Sequence, residues 1–201
     1  MTNFTRNTLK GHTALITGGA GLLGPRHAIG LSSAGAKVIL TDINAEGLEI
    51  AKNKILKIYN EAHIETYILD ITNLDAVKNF QKTYTSKNKY IDILVNNAAL
   101  NPTMKKVGAN VTGKIEDYDM DQWNDEINVG ITGAFICSRV FGTRMAAEGK
   151  GVIINISSDL AIRAPDQRVY SPTMSFDDIQ SYKPLGYSIV KTALIGMTRY
   201  L

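Results

Sequence analysis

Short apolar runs alternate along the chain with longer segments in which apolar residues recur every three or four positions. The runs are TALIT (13–17), KVILT (37–41), ETYIL (65–69), IDILV (91–95) and GVIINIS (151–157). Runs of this kind are typical of strands in a parallel sheet covered on both faces. The segments between them have helix-start signals, because Asn73 precedes LDAVKNFQKTY and Asp119 precedes MDQWNDEINVGITGAFICSRVFGTRMAAE.

This alternation predicts an α/β fold: a Rossmann-type, doubly wound parallel β-sheet with helices on both faces, formed by a single domain over residues 1–201. Ligands of such sheets bind at the carboxyl ends of the strands. Two long polar loops, 100–118 and 159–184, follow the fourth and fifth predicted strands. We expect both loops to overhang the ligand site, because long loops in compact domains are commonly functional.

Composition narrows the class of protein. The 201 residues are 44% hydrophobic and 20% charged, and the net charge of +3 comes from charges of both signs spread along the chain. No basic patch or long apolar segment stands out, so we expect no nucleic-acid partner, no membrane partner and a cytoplasmic location. The lone Cys137 excludes an internal disulfide. His12, His27 and His63 lack metal-ligand spacing, so we expect no metal site.

A glycine-rich turn follows the first predicted strand. Gly19, Gly21 and Gly24 match G-x-G-x-x-G, and Asp42 ends the next strand. Glycines allow the backbone to approach a pyrophosphate, which the helix N-terminus then holds. We therefore predict a dinucleotide site formed by the turn and the end of the second strand: Gly18, Gly19, Gly21, Leu22, Leu23, Gly24, Asp42 and Ile43.

The acidic residue also predicts which dinucleotide binds. Asp42 would accept hydrogen bonds from the adenosine ribose hydroxyls, and its charge would repel a 2′-phosphate. The turn contains no lysine or arginine to offset that repulsion, although Arg26 lies just beyond it. The prediction is therefore NAD, with NADP the weaker ligand.

Tyr187 and Lys191 lie one helical turn apart in GYSIVKTALIG. A free tyrosine, with a pKa of about 10, is a poor base at neutral pH. An ammonium about 4 Å away would stabilise a phenolate by on the order of 4 kcal/mol at an effective dielectric of about 20. The pair is therefore predicted to transfer protons at neutral pH, as the interconversion of an alcohol and a ketone would require.

Six motifs, in order, resemble those of the short-chain dehydrogenases/reductases. They are TGGAGLLG, the strand-end acids Asp42 and Asp70, NNAA (96–99), Asn128 in INVGITGAF, INISS (154–158) and Tyr187-x-x-x-Lys191. The resemblance implies an NAD(P)-dependent oxidoreductase, active on a small molecule, that forms a homodimer or homotetramer.

The resemblance also implies roles for single residues. Tyr187 would be the general acid/base, Ser158 would hydrogen-bond the substrate oxygen, Lys191 would support the tyrosine, and Asn128 would hold a water that relays protons to Lys191. Tyr187 and Lys191 would also contact the cofactor. The other cofactor contacts implied are Asp70 and Ile71 beside the adenine, and Asn97, Ala98 and Ala99 on the ribose side.

Some features depart from the shorter members of this family. Leu22 stands where those members have glycine, and 29 positions separate Ser158 from Tyr187, which favours the extended branch of nucleotide-sugar epimerases and dehydratases. NNAA, INISS and the Trp123 helix favour the shorter branch. A non-catalytic NAD-binding regulator is a third alternative. The chain stops just after the Tyr187 helix, so we expect the C-terminal part of such a protein to be missing from it.

The second long loop offers candidate substrate ligands. Together with Ser158, we predict that Arg163, Gln167 and Arg168 bind a polyhydroxylated or anionic substrate, since arginine grips carboxylate or phosphate with two hydrogen bonds. A solvated loop surface is the alternative. SSDLAIRAPDQRVY and KPLGYSIVK also resemble oxidoreductases of flagellin glycosylation and legionaminic-type sugar synthesis, which implies a sugar-derived substrate.

Overall fold

The computed structural model describes residues 8–86, 90–100, 115–170 and 182–201. Five parallel strands form one sheet in the order β3-β2-β1-β4-β5. This confirms the predicted doubly wound α/β class. In chain order the elements are β1 Thr13–Thr17, α1 Gly24–Ser33, β2 Lys37–Asp42, α2 Ala45–Ile58, β3 Ile64–Ile68, α3 Leu74–Thr85, β4 Ile93–Asn96, α4 Met120–Ile127, α5 Ala134–Ala147, β5 Val152–Asn155 and α6 Leu185–Tyr200.

The core follows from alternation along the strands. Leu15 pairs in register with Ile39 and Leu94, and all three are buried in one cluster with Cys137 and Phe141 of α5. Alternate positions of the strands point to the opposite face, where α1 and α2 pack together. Both faces of the central strands are therefore buried, as the uninterrupted apolar runs predicted.

The fifth strand differs from its prediction. Val152 is 53% exposed and Ile154 is 40% exposed, whereas the apolar run over 151–157 predicted a strand buried on both faces. The reason is its place in the sheet, because β5 is an edge strand of the described structure and pairs only with β4. Apolar periodicity does not distinguish an edge strand from a central one.

The chain divides into two compact units. The first, residues 1–98 and 133–155, contains the sheet with α1, α2, α3 and α5. The second, residues 99–132 and 156–201, contains α4, α6, most of a π-helical turn and two 3₁₀ turns, Asp159–Ala161 and Gln167–Tyr170. Within the second unit α4 and the first 3₁₀ turn pack on α6. The single domain over 1–201 stays a prediction.

The predicted helix starts are confirmed. Asn73 and Asp119 each accept a hydrogen bond from the backbone N–H three residues on, that of Ala76 and of Gln122. The helix predicted after Asp119 is interrupted, since the π-helical turn Asn128–Gly133 lies between α4 and α5. A Cβ added at Gly130 would lie 2.3 Å from Cγ1 of Val190, so this glycine allows the turn to approach α6 closely.

Two absences hold for the part of the chain that the structure describes. No helix there has the length and apolar character needed to cross a membrane. Nor do three or more His, Cys, Asp or Glu side chains cluster there in a way that would hold a metal ion.

Candidate active site

The glycine-rich turn between β1 and α1 is built by close backbone approach. Gly18 has a φ of +65°, and a Cβ there would lie 2.7 Å from Cα of Ala98. At Gly24 a Cβ would lie 2.7 Å from the carbonyl oxygen of Gly19. A side chain at either position would displace main chain. The turn therefore keeps its backbone accessible at the N-terminus of α1, as a pyrophosphate site requires.

Asp42 ends β2 beside this turn. Its Oδ2 accepts a hydrogen bond from the backbone N–H of Ala20 at 3.1 Å, and its Oδ1 accepts one from that of Asn44 at 3.0 Å. Each carboxylate oxygen keeps a lone pair for a ribose hydroxyl. Nearby, Leu22 is 80% exposed and Ile43 is 73% exposed, and Leu23 is also exposed. The Asp42 carboxylate, the accessible backbone of the turn and the exposed apolar side chains together fit a dinucleotide.

The NNAA segment braces the turn. The Nδ2 of Asn97 donates to the carbonyl oxygens of Thr17 at 2.9 Å and Gly18 at 3.1 Å. The Oγ1 of Thr17 accepts hydrogen bonds from the backbone N–H groups of Asn97 and Ala98, both at 3.1 Å. These bonds join the end of β4 to the end of β1. Asn97 and Ala98 therefore shape the predicted cofactor site, whatever they contact in a bound molecule.

The remaining predicted cofactor residues have simpler surroundings. Asp70 is exposed, and its Oδ1 accepts hydrogen bonds from the backbone N–H and the hydroxyl of Thr72. Ile71 is buried in the core cluster. Ala99 is half-buried and belongs to the second unit. Cofactor contact by these three residues stays a prediction.

Tyr187 and Lys191 lie one turn apart on α6, in the second unit. The ammonium of Lys191 is buried, donates a hydrogen bond to the carbonyl oxygen of Ile156 at 2.7 Å, and lies 5.6 Å from the centre of the Tyr187 ring. Burial lowers the pKa of Lys191 from its ordinary value. The lysine is thus fixed beside the tyrosine by a main-chain acceptor.

Hydrogen bonds tie the segment after β5 to the same helix. The hydroxyl of Ser157 donates to the carbonyl oxygen of Lys191 at 2.7 Å, and that of Thr192 donates to the carbonyl oxygen of Ala161 at 2.8 Å. Ser158 lies between these anchor points. Its hydroxyl donates to Asp159 Oδ1 and accepts from the backbone N–H of Leu160, so it caps the 3₁₀ turn Asp159–Ala161. These bonds hold the segment that carries Ser158 against α6, the helix that carries Tyr187 and Lys191.

Asn128 begins the π-helical turn between α4 and α5. It is exposed, whereas Lys191 is buried. Gly130 is the residue of the π-helical turn that meets α6, through Val190. The water relay through Asn128 stays a prediction.

The predicted substrate ligands of the second loop have other partners. The side-chain amide of Gln167 accepts a hydrogen bond from the backbone N–H of Lys183 at 2.7 Å and donates to its carbonyl oxygen at 3.3 Å. Arg168 makes two hydrogen bonds to the carboxylate of Asp166, which lowers the pKa of that carboxyl to about 2. Arg163 is exposed. Residues 171–181 of this loop and 101–114 of the other lie outside the described residues.

The sequence did not point to Glu126, a buried carboxylate on α4 that lies beside the first turn of α6. Glu126 is 1% exposed and accepts hydrogen bonds from the Tyr118 hydroxyl at 2.9 Å and the Gln122 amide at 2.8 Å. The Tyr118 hydroxyl in turn accepts from the backbone N–H of Gly186 at 3.2 Å. Burial is the main reason that the pKa of Tyr118 is raised to about 12. The available signal was the four-residue spacing of Tyr118, Gln122 and Glu126.

This network replaces a missing cap. No side chain caps the N-terminus of α6, where Pro184 is the capping residue. The hydroxyl oxygen of Tyr118 accepts a hydrogen bond from the N–H of Gly186 instead, and the same hydroxyl donates a hydrogen bond to the carboxylate of Glu126. Negative charge near a helix N-terminus is stabilising. The residue that follows Gly186 is Tyr187, so the network anchors the helical turn that carries the tyrosine.

A parallel doubly wound sheet with a glycine turn at its β1–α1 junction defines a dinucleotide-binding class of protein. The profile of the short chain dehydrogenase family matches residues 12–173. The chain belongs to this family.

Individual relatives support the assignment. A 2-dehydro-3-deoxy-D-gluconate 5-dehydrogenase of Bacillus subtilis (strain 168) is 33% identical over 157 residues, which cover 78% of this chain and 56% of the relative. The chain thus spans little more than half the length of that protein.

Solved structures agree on the fold. NAD+-bound xylitol dehydrogenase superposes with a TM-score of 0.78 at 23% identity, covering 96% of this chain and 65% of that one. A gluconate 5-dehydrogenase from Burkholderia cenocepacia J2315, in complex with NADP and tartrate, superposes with a TM-score of 0.76 at 24% identity, covering 98% and 67%.

Proposed function

We propose that this chain is the nucleotide-binding and catalytic part of an NAD-dependent oxidoreductase that interconverts an alcohol and a ketone on a polar, sugar-like substrate. The observation that carries the proposal is the Tyr187–Lys191 pair, with its ammonium buried and held by the carbonyl oxygen of Ile156. Burying a charged group is costly unless it is compensated. A role beside the half-buried Tyr187, one helical turn away, would explain why the lysine is kept at this buried position.

The residues would divide the chemistry as follows. The glycine turn and Asp42 would hold NAD, which would supply the hydride acceptor for the alcohol carbon. Tyr187 would take the proton of the alcohol hydroxyl, and in the reverse direction would return it to the carbonyl oxygen. Lys191 would stabilise, through its positive charge, the phenolate form of Tyr187 that takes this proton and that forms again when the proton is returned. Ser158 would hydrogen-bond the same substrate oxygen and hold it near the tyrosine.

A paired substitution tests the assignment of the tyrosine. Tyr187→Phe is expected to lower turnover by about 10²–10⁴-fold, because the proton acceptor is lost, while NADH binding measured by fluorescence titration stays unchanged. Tyr200→Phe is the matched control, since Tyr200 lies on the same helix and is 91% exposed. Equal activity in the two variants would remove Tyr187 from the mechanism.

Cofactor preference follows from Asp42, which is held beside the turn by Ala20 and Asn44. NADH is expected to bind more tightly than NADPH, and Asp42→Asn is expected to reduce the difference because it removes the charge that repels a 2′-phosphate. Titration of both dinucleotides against both proteins measures this. Tighter binding of NADPH to the unaltered chain would show the preference to be wrong.

The substrate class rests on the sugar-acid relative and on the polar character of the loop after β5. We propose a polyol, an aldonate or another sugar derivative, including the legionaminic-type sugars that the narrower resemblance implies. A panel of these compounds and of nucleotide sugars, followed by NADH absorbance and product analysis, separates three functions. Net NADH change indicates a dehydrogenase, product without net change an epimerase, and binding without product a non-catalytic regulator.

Assembly into a homodimer or homotetramer stays a prediction. Light scattering coupled to size-exclusion chromatography measures it directly.

A further inference from the structure

A second cation lies over the ring of Tyr187. The ammonium of Lys183 is 4.1 Å from the ring centre, closer than that of Lys191 at 5.6 Å. A cation within about 6 Å of an aromatic centre is attracted by the ring electrons. Tyr187 therefore has two lysines against it, one from its own helix and one from the segment that leads into that helix.

Main-chain bonds fix the position of Lys183. Both hydrogen-bonding groups of its peptide, the N–H and the carbonyl oxygen, pair with the side-chain amide of Gln167 in the 3₁₀ turn Gln167–Tyr170. Pro184 follows directly and restricts the backbone of Lys183 further. The lysine is half-buried, and that burial lowers its pKa while the Glu126 carboxylate opposes the shift. The bonds to Gln167 and the proline thus restrain the main chain that carries this cation.

We propose that Lys183 is a positioning residue of the proton-transfer site, acting through Tyr187 by stabilising negative charge on its ring, and that Gln167 holds it there. The catalytic role given to Lys183 rests on the proposed function, but the effect of Lys183 on Tyr187 can be tested without it. It gives Gln167 a role different from the substrate contact predicted from the sequence.

Other charged and titratable groups lie on α6 or on the segments next to it. Lys191 lies on α6 itself, Glu126 lies on α4, Tyr118 precedes α4, and Asp159 begins the 3₁₀ turn that packs on α6. Glu126 interacts electrostatically with Lys183, so the effect of Lys183 has to be measured by removing its charge alone. Lys183→Met does so with little change of shape, and Lys183→Arg keeps the charge.

The experiment is a pH titration of the tyrosine ring carbons by NMR, on the full chain labelled with ¹³C-tyrosine and without substrate. Loss of one signal in Tyr187→Phe identifies Tyr187. In Lys183→Met the titration midpoint of that signal is expected to rise by about one pH unit, the effect of removing a nearby charge in partly solvated surroundings. In Lys183→Arg it is expected to stay within about a third of a unit.

Lys150→Met provides a matched control, because Lys150 lies 4.9 Å from the ring centre of Tyr90. It is expected to leave the Tyr187 signal unmoved. An unchanged Tyr187 midpoint in Lys183→Met overturns the proposal. If Lys183→Met fails to fold, Gln167→Leu replaces it: this variant keeps the cation but removes both bonds that hold its backbone. A smaller rise is then expected, and no rise overturns the proposal.

Turnover supplies an independent readout. With a substrate found in the panel, Lys183→Met is expected to lower kcat about tenfold at neutral pH, with recovery at higher pH and an unchanged KM for the dinucleotide. A chain that shows the NMR shift but no turnover with any compound would refute the proposed oxidoreductase function and leave the role of Lys183 intact.

Discussion

Gly186, at the start of the Tyr187 helix, is expected to tolerate no side chain. A Cβ at this position would lie 1.8 Å from Oε2 of Glu126 and 3.1 Å from the hydroxyl oxygen of Tyr118. The obstacle is a carboxylate that is 1% exposed and already bonded to two partners, so it has little room to move. Gly186→Ala must therefore displace the carboxylate or shift the first turn of α6.

The expected loss of stability follows from three hydrogen bonds that the new methyl group would disturb. They run from Tyr118 to Glu126, from Gln122 to Glu126, and from the N–H of Gly186 to Tyr118. Each contributes about 0.5–1.5 kcal/mol, and a buried group left without a partner costs about 1–3 kcal/mol. Partial rearrangement avoids some of this loss. We expect Gly186→Ala to lower the free energy of unfolding by about 2–4 kcal/mol, and to lower turnover because Tyr187 is the next residue.

Urea unfolding followed by circular dichroism measures the effect, with Gly196→Ala as the control. Gly196 is exposed on the same helix, and a Cβ there would meet nothing within 4 Å, so alanine is expected to stabilise by up to about 1 kcal/mol. If the two variants unfold within about 0.5 kcal/mol of each other, the reasoning is refuted. Adding Glu126→Ala to Gly186→Ala removes the obstacle, so the two losses should not add.

Three further predictions concern other parts of the chain. Thr17→Val should lower the unfolding free energy by about 1–3 kcal/mol and weaken NADH binding, because Asn97 and Ala98 lose the acceptor for their backbone N–H groups. Tyr118 has its pKa raised to about 12 by burial, so its contribution to stability is complete below pH 10 and is lost as pH rises towards 12; alkaline unfolding should be shallower in Tyr118→Phe. Cys137, with a thiol pKa raised to about 12 by burial, should react with a disulfide reagent only after unfolding.

Each of these has a comparison that isolates its cause. Thr41 pairs in register with Thr17 but makes only a 3.3 Å hydrogen bond to the carbonyl oxygen of Ile16, so Thr41→Val should cost less. Identical alkaline transitions for the native chain and Tyr118→Phe would contradict the second prediction. Reaction of Cys137 at the same rate in native and denatured chain would contradict the third.

The chain's periodicity and its short-range signals determined much of the fold. Uninterrupted apolar runs predict strands that a sheet buries on both faces, and Asn73 and Asp119 cap helices because their side chains reach a backbone N–H only three residues away. The glycine turn, Asp42 and the Tyr187–Lys191 spacing are likewise local patterns. Local patterns can be recognised in a sequence because the atoms that interact belong to residues close together in the chain.

Tertiary structure alone decided which distant groups meet. Lys183 lies over Tyr187 because Gln167, 16 residues earlier, pairs with its peptide, and the carboxylate of Glu126 reaches Gly186 from another helix. Gly130 likewise lies against Val190 of α6, a contact between two separate elements. Packing between elements depends on their relative positions in space, and no spacing along one segment encodes that distance.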